Sequence, residues 1–296
     1  MAGRSRAATA ALENGAAALE AIARPNGMNR KSIIVALALL AQMQSPAAGQ
    51  QARPKQAGTK TKAVHAAPGK PAAQAVPFAI GETLDYEVLW TQYRVHAATL
   101  EFSIVEQRDF YGHAAWHFRL LAHTTNTMRT VYPLDDQFDS YTDAAQLVSL
   151  QYEMYLREMG TTQKSLYRMT TDGEPAPAGA TAARVLPGTR DAVGFLYALR
   201  AVDWQRTPEF DAPVFDGRNL YDLRARLDAA DDTVQVPAGQ FAATRIAVSV
   251  YAGGKPRQDI GFHVWLGKDA ARPPLLIAAI VPFGNARIEL LNLPKR

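Results

Sequence analysis

Apolar and polar residues alternate along most of the chain after residue 83. In residues 84–90, Leu84, Tyr86, Val88 and Trp90 are apolar, and the residues between them include two acids. This period of two is typical of a strand with one buried face. Seven further segments show it, at 100–104, 116–122, 148–154, 221–227, 246–250, 260–264 and 286–290. Weaker runs at 165–170, 233–236 and 275–282 bring the total to about eleven predicted strands.

One segment has the pattern of a helix instead. Asp191 is a suitable N-cap for residues 192–200, in which Val193, Leu196 and Leu199 lie on or beside one face. Residues 171–188 are rich in Pro, Gly and Ala and are predicted to form a loop. Because so many twisted strands cannot lie flat, we expect residues 78–296 to form one mainly β domain. Its predicted architecture is a strongly curved antiparallel sheet, an open or half barrel, with one short helix packed on it.

The N-terminal region has the features of an export signal. Residues 28–49 contain a basic start, Asn29-Arg30-Lys31, then a short apolar run and a small-residue site that ends at Gly49. The apolar run is roughly half of the 20 residues that a spanning helix needs, which disfavours a retained anchor. We therefore predict a signal peptide cleaved after Gly49 and a periplasmic mature protein. Residues 1–27 are interpreted as an extension upstream of the true start codon, because a secretory signal begins near the N-terminus.

The charge is distributed unevenly between the tail and the domain. The whole chain carries +4 and the first 77 residues carry +8, so residues 78–296 carry −4. That sign disfavours nucleic-acid binding, which depends on many basic contacts to phosphate. Residues 50–77 are basic, have almost no large apolar side chains and are predicted to be a disordered linker. Contact of this linker with anionic lipid or cell-wall polymer is the alternative hypothesis.

The sequence offers weak candidates for a metal site. Cysteine is absent, which excludes disulfides, thiol nucleophiles and cysteine ligands. His113, His117 and His123 share one face of a strand, but at roughly 3.3 Å per residue they are about 13 and 20 Å apart, too far for one metal. The acidic residues of segment 135–143 lack the spacing of a calcium loop and are predicted to form a solvated turn. We therefore predict no metal and no cofactor.

Catalytic motifs are equally scarce in the sequence. No serine lies in a strained Gly-x-Ser-x-Gly turn, and no Gly-rich phosphate loop is present. A pair of carboxylates for glycoside hydrolysis can be imagined among many acids, but no pattern selects one. The prediction is a protein without catalytic residues.

Five motifs together resemble a known family. They are Gly81-Glu82-x-Leu84-x-Tyr86-x-Val88-x-Trp90, Tyr132-Pro133-Leu134-x-Asp136, Asp191-x-x-x-x-Leu196-Tyr197-x-Leu199-Arg200, Val236-Pro237-Ala238-Gly239-Gln240-Phe241 and Trp265-Leu266-Gly267-Lys268-Asp269-Ala270-Ala271-Arg272-x-Pro274. In this order they resemble domain of unknown function 3108. The resemblance implies an exported bacterial envelope protein without assigned activity, with a curved sheet similar to the half-barrels of lipoprotein carriers. Where the family commonly turns its first hairpin with glycine, this chain has Val95-His96-Ala97-Ala98, so we expect a different turn there.

The aromatic residues suggest the function. Core packing is their ordinary role, but a half-barrel often leaves its concave side partly filled, which provides a groove for a lipid or hydrophobic peptide. The predicted ligand-binding residues are Trp90, Trp116, Tyr152 and Trp265. One alternative is an interaction module that pairs an edge strand with another envelope protein. A second alternative is a hydrolase acting on polysaccharide or ester.

Overall fold

The computed structural model describes residues 75–281 and 284–293. The predicted upstream extension (1–27), the signal peptide (28–49) and nearly all of the predicted linker (50–77) lie outside these residues. Within the described part of the chain, no helix combines the length and apolar character needed to cross a membrane.

Within residues 75–281 and 284–293, fourteen strands form one sheet. In chain order they are β1 (Thr83–Trp90), β2 (Val95–Phe110), β3 (His113–Thr124), β4 (Asp135–Asp143), β5 (Ser149–Glu158), β6 (Thr161–Thr170), β7 (Thr181–Arg184), β8 (Arg190–Asp191), β9 (Glu209–Phe215), β10 (Leu220–Val236), β11 (Gly239–Ala252), β12 (Lys255–Gly267), β13 (Pro274–Val281) and β14 (Gly284–Leu290). The helices are α1 (Asn126–Arg129) and α2 (Ala192–Ala201). Across the sheet the order is β7-β6-β5-β4-β3-β2-β1-β14-β13-β12-β11-β10-β9-β8. The predicted mainly β, curved and open architecture is confirmed.

The strand pairing differs from the prediction at the two ends of the sheet. All neighbours pair antiparallel except β6 with β7 and β8 with β9, which pair parallel. The structure also adds four strands that the alternation did not predict: β4, β7, β8 and β9. Two predicted strands, at 221–227 and 233–236, are one strand, β10, with register shifts between Leu227 and Asp232. These bulges interrupt the alternation and explain why one strand looked like two.

The first hairpin turns earlier than the prediction placed it, at residues 91–94. The turn lies between β1 and β2, and Arg94 has φ 54°, a left-handed conformation that glycine adopts most easily. Val95-His96-Ala97-Ala98 itself belongs to β2.

Helix α2 lies inside the curve of the sheet. Every residue of α2 from Ala192 to Arg200 is buried, as expected only for a helix that is surrounded on all sides. Tyr197 stacks on Phe118 of β3, with ring centroids 3.8 Å apart, and Phe195 stacks on Phe210 of β9 at 6.1 Å. Because β3 and β9 lie far apart in the sheet order, the sheet must wrap around the helix. The helix therefore occupies much of the concave side.

A polar cage holds the N-terminus of α2. Asp191 caps the helix by accepting the Gly194 N–H at 2.8 Å, and it also accepts hydrogen bonds from Ser140 and Ser149, each at 2.6 Å. Burial raises the pKa of Asp191, and these hydrogen bonds oppose the rise. A Cβ at Gly194 would lie only 3.0 Å from the Ser149 Oγ and 3.1 Å from the Thr142 Oγ1. Glycine is needed here because the helix approaches the sheet so closely.

The two ends of the sheet approach each other without a continuous ladder between them. Tyr167 of β6 and Phe215 of β9 meet edge to face with centroids 5.3 Å apart. The Ser149 N–H donates to the Thr189 carbonyl at 3.1 Å, just before β8. We call this junction the seam. The sheet is thus nearly a barrel but remains open.

Candidate functional site

A cleft lies beside the connection between β12 and β13. Its volume is about 290 Å³, and it is lined by apolar residues of the α2–β9 connection and the sheet, Val202, Trp204, Leu227 and Leu266, and by the cations Lys268 and Arg272. We call it the hairpin cleft. Trp204 and Leu266 are buried, whereas Lys268 is exposed. The cleft therefore has an apolar floor and a rim that carries two cations and one carboxylate, Asp203, for a net positive charge.

A second cleft adjoins the hairpin cleft. It measures about 540 Å³ and is lined by Val76, where the described chain enters the domain, and by Asp203, Lys268 and Arg272, which it shares with the hairpin cleft. The shared residues place the two clefts on either side of the same rim.

The β12–β13 connection is a tightly hydrogen-bonded turn. The Asp269 Oδ1 accepts the N–H groups of Ala271 and Arg272, both at 2.9 Å, and the Gly267 N–H donates to the Pro273 carbonyl at 2.9 Å. Arg272 has φ 45°, in the left-handed region that non-glycine residues rarely occupy. Such backbone conformations persist where the surroundings fix them, often at ligand sites.

A buried ion pair supports the turn from behind. Arg200, at the end of α2, donates to both carboxylate oxygens of Glu82, at 2.6 and 2.9 Å, and to the Ala271 carbonyl at 2.8 Å. The side chains of Arg200 and Glu82 are only 1% and 9% exposed. Tyr86 of β1 adds a hydrogen bond from its hydroxyl to the Pro274 carbonyl at 2.7 Å. Three motifs that are distant in sequence, around Glu82, Arg200 and Arg272, therefore meet behind the β12–β13 turn.

The sequence of this domain matches a known protein family. Residues 85–291 match the family described as protein of unknown function (DUF3108). The chain belongs to the DUF3108 family. The predicted resemblance is thereby confirmed, over almost the whole domain.

Solved structures with a similar fold differ strongly in sequence. A beta-barrel-like protein of domain of unknown function DUF1849 from Brucella abortus is 10% identical, with a TM-score of 0.46, over 72% of this chain and 96% of that chain. A protein from Parabacteroides distasonis described as a putative lipoprotein is 9% identical, with a TM-score of 0.36, over 76% of this chain and 100% of that chain. A protein from Bacteroides fragilis described as exported and as having a YmcC-like fold is 10% identical, with a TM-score of 0.35, over 76% and 100%. Among curated proteins, none matches this DUF3108 chain.

The four predicted ligand-binding residues do not come together at the hairpin cleft. Trp116 packs edge to face on Phe78 with centroids 5.5 Å apart, and Tyr152 is fully buried inside the sheet. Trp90 is buried at the far end of β1, and Trp265 alternates with the buried Val264, so its ring lies on the other face of β12. Their role in binding stays a prediction.

Two of these aromatic residues carry buried polar atoms without a protein partner. Neither the Trp116 indole N–H nor the Tyr152 hydroxyl has a hydrogen bond to the described residues. Buried polar atoms usually find a protein or water partner, so both mark polar positions in an otherwise apolar interior.

The acidic segment predicted as a solvated turn is instead strand β4. Asp136 and Asp139 are buried, and the three histidines of β3 each contact an aspartate of β4. The pairs are His113–Asp143 at 3.1 Å, His117–Asp139 at 2.6 Å and His123–Asp135 at 2.9 Å. Within the described residues, no group of three or more metal-binding side chains is close enough to hold an ion.

The buried serines do not form a hydrolytic triad with these histidines. Ser140 and Asp139 are neighbours on β4, so they point to opposite faces of the sheet. His117 bonds to Asp139 on the outer face, whereas Ser140 donates to Asp191 on the inner face. The hydrolase hypothesis gains no support from these residues.

Sequence reasoning missed Trp204 and Arg272 as site residues. Trp204 was one aromatic residue among several, and Arg272 was part of a family motif. Neither residue was assigned a role in binding. The signal that was available is the pair of cations, Lys268 and Arg272, on either side of an Asp269 turn. Aspartate commonly stabilises a turn by accepting backbone N–H groups a few residues later, which brings the residues around it together.

Proposed function

We propose that this DUF3108 protein is exported to the cell envelope, where it binds an amphiphilic ligand in the hairpin cleft without catalysis. The observation that carries the proposal is the combination of an apolar floor, formed by Trp204, Leu227 and Leu266, with a rim of net positive charge at the mouth of the cleft. Ligand sites are typically concave and mainly apolar, with few fixed polar groups that orient the ligand.

The position of α2 favours this cleft over the concave interior. The earlier hypothesis placed an apolar ligand against Trp90, Trp116, Tyr152 and Trp265. Because α2 is buried on all sides, an interior ligand would have to share that space with the helix. The hairpin cleft needs no such rearrangement.

Export rests on the sequence of residues 28–49. A basic start, a short apolar run and a small-residue cleavage site are the features of a signal peptide. N-terminal sequencing of the protein from the periplasmic fraction tests this part of the proposal, and we expect the mature chain to begin at Gln50. Retention of the protein in the cytoplasm would contradict export.

Ligand binding is tested by filling the cleft. Ala230 is exposed and lines the hairpin cleft, so Ala230→Trp fills the space without disturbing the core. Ala114, an exposed residue on β3 away from the cleft, provides the matched control Ala114→Trp. We expect native mass spectrometry of protein purified from its own envelope to detect a bound amphiphile in the parent and in Ala114→Trp, but not in Ala230→Trp. A parent protein that is consistently free of ligand would contradict the proposal.

The interaction module is retained as a second candidate because of β7. This strand has a neighbour on one side only, β6, and three of its four residues are exposed. An exposed edge of this kind can pair with a strand of another protein. Since proline cannot donate to such a ladder, Ala182→Pro should abolish capture of an envelope partner in crosslinking. Unchanged crosslinks in this variant would eliminate β7 as the docking edge.

A further inference from the structure

We propose that Arg272 recognises a singly charged anionic head group, a carboxylate or a phosphodiester, on the amphiphile whose apolar part lies in the hairpin cleft. This assignment rests on the proposed function and adds the class of ligand. Its basis is the geometry of the Arg272 side chain, the conformation of its backbone and the charges around it.

One edge of the Arg272 guanidinium is already fixed by the protein. Its Nη1 donates to the Val202 carbonyl at 2.8 Å and reaches the Arg200 carbonyl at 3.5 Å. The Nε and Nη2 groups form no hydrogen bond with the described residues, and Arg272 lines both clefts. A guanidinium held at one edge presents its remaining donors in a planar fork that matches two oxygens of a carboxylate or phosphate. Little side-chain entropy is then lost on binding.

The backbone of Arg272 is held in an unfavourable conformation. Its φ of 45° is rare for a residue with a side chain, and the Asp269 carboxylate fixes it by accepting the Arg272 N–H at 2.9 Å. Conformations of this kind are tolerated where they place a functional side chain. Here the guanidinium meets the C-terminal end of α2, where Arg200 and Val202 supply the two carbonyls.

The surrounding charges favour one negative charge over several. Lys268 is paired with Asp231, but that carboxylate is 89% exposed, so the pair is weak and Lys268 is available to a bound anion. Asp203 also lines the cleft, and its Oδ1 accepts the Gln205 N–H at 3.2 Å. Among the residues that line the cleft, two cations and this one carboxylate leave a net charge of +1, which a single negative charge on the ligand balances. A compact head group with a single charge fits best.

The apolar part of the ligand has a defined place. Trp204 is held by a hydrogen bond from its Nε1 to the Leu199 carbonyl at 3.0 Å, so its ring forms a rigid wall. Leu227 and Leu266 complete the floor of the cleft, beside the Arg272 fork. A short alkyl chain attached to an acidic head group satisfies both parts.

The test compares three probes that each carry a ten-carbon chain by isothermal titration calorimetry: decanoate, methyl decyl phosphate and decanol. For the parent protein we expect at least one of the two anions to bind about ten times more tightly than decanol, which corresponds to the added charge-assisted hydrogen bonds. The anion that binds with the lower Kd identifies the preferred head group. In Arg272→Gln the preference over decanol should disappear, whereas in the matched control Arg157→Gln, an exposed arginine on β5, it should remain.

The outcomes separate this assignment from the proposed function. If none of the probes binds the parent, the proposed function fails. If all three bind with equal affinity, or if Arg272→Gln retains the preference, the proposed function stands and the assignment of Arg272 is overturned. Should Arg272→Gln fail to fold, the parent protein supplies the test, because added salt must weaken decanoate binding relative to decanol binding. Equal responses to salt would overturn the assignment.

Discussion

The buried ion pair behind the hairpin cleft allows a quantitative prediction. Glu82→Gln removes the negative charge but keeps the shape of the side chain. Arg200 then stays buried, at 1% exposure, with two carbonyl partners and no carboxylate. Leaving one charge of a buried pair without its partner costs about 3–5 kcal/mol. For a domain of this size each kcal/mol corresponds to about 2–4 °C in Tm, so Tm should fall by about 10 °C.

The assay is urea-induced unfolding followed by tryptophan fluorescence and by circular dichroism. The control is Glu106→Gln, which makes the same chemical change in the exposed Glu106–Arg108 pair, whose side chains are 43% and 46% exposed. That variant should lose less than about 1 kcal/mol. A double-mutant cycle with Glu82→Leu and Arg200→Met adds a second criterion. Because the double variant leaves no unpaired charge, its cost should be smaller than the sum of the single costs by at least about 2 kcal/mol.

Two results would refute the reasoning. A cost for Glu82→Gln as small as that of Glu106→Gln would mean that water reaches Arg200 and that the pair is not truly buried. Additive costs in the cycle would mean that Glu82 and Arg200 act independently, despite the 2.6 Å contact between them.

Two further predictions concern the interior. Gly194→Ala adds a methyl group 3.0 Å from the Ser149 Oγ. The cost of overpacking, about 1–3 kcal/mol, should exceed the gain in helix propensity of about 1 kcal/mol, so thermal unfolding should show a lower Tm. A higher Tm would contradict the close approach of α2 to the sheet. Burial, followed by the charge of Glu158, raises the pKa of Asp136 from 3.8 to about 7. The folded state thus binds this proton more tightly, so the stability that Asp136 contributes is complete below about pH 4 and is lost, by up to about 4 kcal/mol, as the pH rises through 7. Asp136→Asn should flatten the unfolding free energy between pH 4 and 8, and a profile parallel to that of the parent protein would contradict the assignment.

The alternation of apolar residues predicted the sheet but could not predict all of its strands. β4 was missed because its inward residues include Ser140 and Thr142, so its buried face is partly polar. These hydroxyls are buried because Ser140 donates to Asp191, which caps α2. Only the packing of the helix makes a polar face suitable for the interior, and no local pattern reveals that packing.

The position of α2 inside the curve of the sheet could not be predicted from the local sequence either. The face of α2 around Leu196 and Leu199 predicted a short helix packed on the sheet. The small residues Gly194 and Ala198 on the remaining surface are equally compatible with exposure or with close packing. The burial of Arg200 shows that the sheet encloses the helix. This burial depends on the ion pair with Glu82, which is 118 residues away in the sequence.

The candidate site was predictable only in part. Sequence motifs marked the segment that contains Lys268 and Arg272, and the structure confirms that this segment forms one turn. The donor groups left free on Arg272 depend on the Val202 carbonyl, which the end of α2 places beside the turn. That relation is tertiary, so the sequence showed the residues without their role.

The seam determines how the enclosure responds to a load. A closed β-barrel can widen only by breaking a full row of main-chain hydrogen bonds between two strands. Here the Tyr167–Phe215 ring contact, the Ser149–Thr189 hydrogen bond and the bonds from Ser140 and Ser149 to Asp191 of β8 take the place of such a row. Widening at this line would break these contacts and leave every strand pairing intact, so we expect the wall to open there first.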